Sequence, residues 1–261
     1  MRYFLLCSVV LLILTACGED ESQKVVAETA AQRQSPIKQI AQQDQDTPVS
    51  LSGSDRHMGP NPHAVLSSEQ HIAVALQHVE NGRIEQALDV LNRAIAASPE
   101  DASLIGTLGG LLLGQDRIAE ALVYLEQAVT LAPDSAVLLV NRSQAYRKFN
   151  RYQEAMVDLD KAVSLSPELV PARFNRGVLY YGEGRYHEAM ADFDVCVATA
   201  PETAGPYFNR AVTRDALGDQ TGAVSDMKRF IELADNPEWK QVARETMASW
   251  ESESQSDKQP N

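Results

Sequence analysis

Three arginines and three aspartates recur at one spacing. Arg142 precedes Asp158, Arg176 precedes Asp192 and Arg210 precedes Asp226, sixteen residues apart each time. A guanidinium is a planar fork of N–H donors that grips a carboxylate with two hydrogen bonds, so the pattern predicts intra-repeat salt bridges. Directly before each arginine stands an asparagine: Asn141, Asn175 and Asn209. An amide donates and accepts, and a row of amides can satisfy an extended peptide backbone. Other reactive types are sparse: five histidines (His57, His63, His71, His78, His187) and three cysteines (Cys7, Cys17, Cys196). No spacing among them demands a metal. No serine elbow, P-loop, dinucleotide fingerprint or HExxH helix occurs. The residues therefore predict no catalytic set, no metal and no bound cofactor.

The elements behind these residues are marked by proline. Pro99, Pro133, Pro167 and Pro201 lie 34 residues apart. Twelve residues before each stands Ala87, Ala121, Ala155 or Ala189, and twenty-four before each a small residue, Ala75, Gly109, Ser143 or Gly177. A fixed period of this length predicts stacked helical repeats, each too small to bury its apolar face alone. Turn signals at Asn81-Gly82, Gln115-Asp116, Asn150, Glu183-Gly184 and Gly218-Asp219 split each unit into two helices. Each proline ends the second helix, since it lacks an N–H and restricts the residue before it. In the first two units the arginine and aspartate places hold Val74 with Val90 and Leu108 with Tyr124. Both places change character together, which predicts contact between them.

"LGGLLLGQDRIAEALVYLEQAVTLAP" from Leu108 and "NRGVLYYGEGRYHEAMADFDVCVATAP" from Asn175 resemble the tetratricopeptide repeat, a helix–turn–helix unit of 34 residues. The resemblance implies an all-α chain: an α-solenoid of five repeats (about 68–101, 102–135, 136–169, 170–203 and 204–235, within 67–235) plus a C-terminal capping helix. The cap is expected at 236–251, with Trp239, Ala243, Met247 and Trp250 on one face, followed by a tail at 252–261. The family usually binds peptides along a concave face lined by the first helices. Carried over, this gives a partner-binding groove of Asn141, Gln144, Arg147, Phe174, Asn175, Val178, Tyr181, Phe208 and Asn209. The alternative is that the asparagines bond only their neighbouring helix and the two phenylalanines pack between repeats. Gly106 and Gly110 are expected on the groove side, where they leave a notch or weaken the helix. The basic places of clamp-type, chaperone-tail-binding repeats hold Val137, Val140, Pro171 and Gly205 here, so that ligand is not expected.

At the front, Met1-Arg2 and the apolar run Phe4 to Leu14 lead into Leu14-Thr15-Ala16-Cys17. This resembles a bacterial lipobox. The resemblance implies a signal peptide over 1–16, a diacylglyceryl and an N-acyl chain on Cys17, and a membrane anchor of ample strength. By resemblance to enterobacterial lipoprotein sorting, Gly18 after the cysteine implies the periplasmic face of the outer membrane. Residues 17–66 are polar and read as a flexible tether reaching ~40 Å. The net charge of −13 makes nucleic acid a poor partner. Cys196 stands where sister repeats carry alanine and reads as a buried thiol. The expected function is non-enzymatic: an adaptor or scaffold lipoprotein recruiting periplasmic or outer-membrane proteins, compatible with a homo-oligomer. Two alternatives stand beside it. One is a peptidoglycan-binding subunit using Tyr146, Tyr180, Tyr181 and Tyr207; the other is a metal- or redox-linked enzyme using the histidines or Cys196.

Overall fold

Each helix pair turns on one residue of positive φ. These are Gly82, Asp116, Asn150, Gly184 and Gly218, with φ from 56 to 83°. The left-handed residue closes the first helix by returning the next amide to a carbonyl five residues back: Arg83 N to His78 O at 2.8 Å, Arg151 N to Tyr146 O at 2.8 Å, Arg185 N to Tyr180 O at 2.9 Å. Glycine bears this conformation without steric cost, and Asn and Asp bear it better than other residues.

The computed structural model describes residues 66–256. The expected signal peptide and lipid site at Cys17, nearly all of the expected tether, and residues 257–261 lie outside the described residues. The first helices are α1 (Ser68–Glu80), α3 (Ala102–Gly114), α5 (Ala136–Lys148), α7 (Val170–Gly182) and α9 (Ala204–Ala216). The second helices are α2 (Ile84–Ala97), α4 (Ile118–Leu131), α6 (Tyr152–Leu165), α8 (Tyr186–Thr199) and α10 (Gln220–Leu233). Within each series the starts keep the 34-residue period of the prolines. No strand occurs among the described residues. The fold is an α-solenoid of five helical pairs closed by α11 (Pro237–Ser256).

The pairs close because a small residue on the first helix faces a large one on the second. Leu91, Leu125, Leu159, Phe193 and Met227 are fully buried at equivalent places. A methyl group added at Gly177 would stand 2.8 Å from the Phe193 ring, and one at Gly109 2.7 Å from Leu125. Ala87, Ala121, Ala155, Ala189 and Ala223 have no exposed surface. Burial of such apolar area, rather than helix propensity, holds short helices of this kind together.

Two expectations need correction. Gly106 is buried, and the Leu138 side chain of the next repeat occupies the space beside it. The expected notch is thus filled from within, while Gly110 stands next to Asn141. The cap also runs to Ser256 instead of ending at 251, because no glycine or proline interrupts the chain before Pro260. Asn236 Oδ1 accepts from the Glu238 and Trp239 amides at its start. Ala243 and Trp250 are buried against the last repeat, with Trp239 and Met247 packed beside them.

Candidate interaction face

Successive first helices touch one another along the stack, whereas second helices stand further apart. The first helices therefore line the inner, concave side. Of the residues expected there, five are interior. Phe174, Asn175, Val178, Phe208 and Asn209 are each less than one-tenth exposed. Phe174 meets Phe193 with ring centroids 6.0 Å apart, and Phe208 meets Phe230 at 5.2 Å. A bulky residue at this place packs against the second helix of its own repeat, so it cannot also anchor a partner. Asn141, Gln144, Arg147 and Tyr181 remain half-buried and accessible.

Two of the three asparagines are spent on local bonds. Asn175 Nδ2 donates to Pro171 O at 2.8 Å and Asn209 Nδ2 to Gly205 O at 3.0 Å. Arg147 Nη1 donates to Asn175 Oδ1 at 2.6 Å, joining the third repeat to the fourth. Tyr181 stands in the place of Arg147 one repeat later, and Asn209 Oδ1 is buried without a hydrogen-bond partner. Tyr181 instead packs on Tyr186, 5.3 Å between centroids.

The arginine–aspartate pairs lie on the flank between the two helix layers. Arg142 Nε and Nη2 donate to Asp158 at 2.8 and 2.6 Å. Arg176 grips Asp192 at 2.8 and 2.9 Å, and Arg210 grips Asp226 at 2.7 Å twice. All three aspartates are buried. Hydrogen bonding to these carboxylates pushes the three guanidinium pKa values further above their ordinary value, so the arginines stay charged. Sequence reasoning missed the other half of the network. Arg176 Nη1 also reaches Asp160, and Arg210 Nη1 reaches Asp194, both at 2.9 Å and both on the preceding repeat. Arg173 and Arg214 add a second guanidinium to Asp192 and Asp226. The signal was present: an acid stands sixteen residues before each arginine, at Glu126, Asp160 and Asp194.

The tyrosines are engaged as well. Tyr146 has Arg142 and Arg151 at 5.5 and 4.3 Å from its ring centre; Tyr180 has Arg176 and Arg185 at 5.5 and 4.1 Å. Burial pushes both phenols up. Tyr146 and Tyr207 are buried, which leaves little aromatic surface for stacking on a sugar. His71 Nδ1 lies 3.0 Å from Ser67 O, and Cys196 is buried. Among the described residues no group of three or more His, Cys, Asp or Glu is gathered closely enough to hold a metal ion. None of the described helices is long and apolar enough to cross a membrane.

Models of the tetratricopeptide repeat match residues 78–142, and again 136–169 and 170–203. Residues 78–203 are tetratricopeptide repeats. Solved structures agree on the fold. A tetratricopeptide-repeat protein of Thermus thermophilus, TTC0263, superposes with a TM-score of 0.56 at 20% identity over 70% of this chain and 98% of its own. YrrB, described as a tetratricopeptide-repeat protein with an unusual peptide-binding site, gives 0.52 at 20% identity over 69% and 92%. MamA of Desulfovibrio magneticus RS-1 gives 0.53 at 17% identity over 64% and 94%. No curated protein matches the sequence.

Proposed function

We propose that this chain is a protein-binding scaffold of the bacterial envelope, held to a membrane by lipid on Cys17. One observation carries the scaffold reading. The tetratricopeptide stack presents an inner face of half-buried polar and aromatic side chains, Asn141, Gln144, Arg147 and Tyr181, over a rigid apolar core. Half-buried groups on a rigid scaffold bind with little ordering cost. A peptide-binding site described for YrrB, a protein of like fold, supports the same use. The anchor rests on the lipobox-like Leu14-Thr15-Ala16-Cys17 and the apolar run before it. Outer-membrane placement rests on Gly18.

A photo-reactive residue placed at position 144 or 181 in cells should trap a protein that mass spectrometry names. The same probe at Val157, exposed on α6, should trap far less. Equal yields from both positions would remove the inner face as the docking surface. Palmitate analogue should label the wild type and not Cys17→Ser; an unlabelled wild type would remove the anchor.

A further inference from the structure

The four junctions between successive repeats are not alike. At the last three, a guanidinium fills one place on the flank: Arg142, Arg176 or Arg210. Each lies on the carboxylate of its own second helix and faces an acid of the preceding one, Glu126, Asp160 or Asp194. In the third and fourth repeats it also covers a tyrosine ring. At the first junction the equivalent places hold Leu108, Tyr124, Asn92 and Leu112. Two shorter apolar side chains, Leu108 and Leu112, stand where the sister repeats carry the guanidinium and the ring. The space is a half-open cleft of about 280 Å³ floored by Leu88, Leu108 and Leu112 and walled by Tyr124.

The carboxylates have not vanished; they have moved. Asp89 and Glu85 stand one and two turns before Asn92 on the same side of α2, and Glu120 borders the cleft from α4. Arg117 is the one basic residue of the lining. Glu120 grips it with two hydrogen bonds at 2.8 and 2.6 Å. It occupies the place of Arg151 and Arg185, which sit on the same rings as Arg142 and Arg176. Two guanidinium groups side by side are thus the normal content of this site in the sister repeats.

We propose that the first junction is a binding site for an arginine side chain presented by a partner protein. The aliphatic stem lies on Leu108 and Leu112, and the planar head stacks on Tyr124. Glu85, Asp89 and Glu120 supply the negative field, offset in part by Arg93, which pairs with Asp89, and by Arg117 on Glu120, within a chain of net charge −13. The incoming residue restores what Arg142 does one repeat later. The site is on the flank, so it depends neither on the inner face as a docking surface nor on lipid at Cys17.

The test titrates the full chain with a fluorescein-labelled glycine–serine peptide carrying one arginine, read by anisotropy, and with its lysine counterpart. The arginine peptide should bind saturably and about fivefold better than the lysine peptide, because a compact ammonium cannot stack in the same way. Glu85→Gln with Asp89→Asn, both exposed, should weaken it about tenfold. Installing the sister network with Leu108→Arg, Tyr124→Asp and Asn92→Asp should abolish binding. If circular dichroism shows that this filled variant does not fold, the two exposed substitutions decide alone. Equal binding of the two peptides, or no loss on charge removal, overturns the proposal. A tenfold gain on Arg33→Ala with Arg56→Ala would also overturn it, by giving the cleft to the chain's own N-terminal segment.

Discussion

Arg176 Nη1 lies 2.9 Å from Asp160 Oδ1, one repeat back, while the same guanidinium holds Asp192 within its own repeat. One side chain thus fastens two units. The two carboxylates differ in exposure: the Asp192 side chain is 2% exposed and that of Asp160 53%. Removing the buried charge should hurt far more, because Arg173 and Arg176 would lose the only deeply desolvated acid they share. Asp192→Ala is expected to cost ~3 kcal/mol, and Asp160→Ala under ~1 kcal/mol. Urea unfolding measures both; equal losses would contradict the ranking.

Gly177 and Phe193 are matched in size. Gly177→Ala should cost ~1–3 kcal/mol through overpacking, since the new methyl meets the ring. The fifth repeat already solves the same problem with Ala211 against Met227. Gly177→Ala combined with Phe193→Met should therefore recover most of the loss, as thermal unfolding would show. Failure to recover would mean that the repeats do not share one packing scheme.

The repeat, its helix boundaries and the arginine–aspartate contacts were legible because periodic residues report on one another. The joint change from Val74/Val90 to Arg142/Asp158 marks two places that touch. The groove expected at Phe174, Phe208, Asn175 and Asn209 proved interior. Periodicity says which residues share a side of a helix, not how deeply a neighbouring repeat covers that side. Arg147 bonding Asn175 spans 28 residues and occurs at one junction, so no internal repetition announces it. Asp160 and Asp194 were visible at the same period but lie across a junction, where pairing by single repeats does not look.

Asp116 bears a positive φ of 56° where three sister repeats use glycine. Its side chain is exposed, and Lys148 approaches only to 3.8 Å. Relief of the left-handed strain should outweigh that contact. Asp116→Gly is expected to stabilise the chain by ~0.5–1 kcal/mol, and Gly184→Ala to destabilise it by ~1–2 kcal/mol. Chemical denaturation of the two variants against wild type gives the signs. A destabilised Asp116→Gly would show that the ion pair outweighs the backbone.

Acid should loosen the stack through a small set of carboxyls. Burial acts to raise the Asp101 pKa, but hydrogen bonds from Ser68, Leu104 and Ser103 outweigh it and hold the group below its ordinary value. Arg117, Arg151 and Arg185 do the same for Glu120, Glu154 and Glu188 by hydrogen bonding. A carboxyl lowered in the folded chain binds its proton more readily once unfolded. Its stabilisation is complete above the unfolded-state value, about 4, and drains away as pH falls through the folded value. Tm should therefore stay flat from pH 7 to about 5 and fall below about 4. Asp101→Asn keeps an N-cap acceptor but carries no titrating group. It should lower Tm little at pH 7 and make the acid-side fall shallower, since one of the linked protons is gone. A Tm that rose on acidification, or an unchanged acid slope in Asp101→Asn, would show that these carboxyls do not govern the transition.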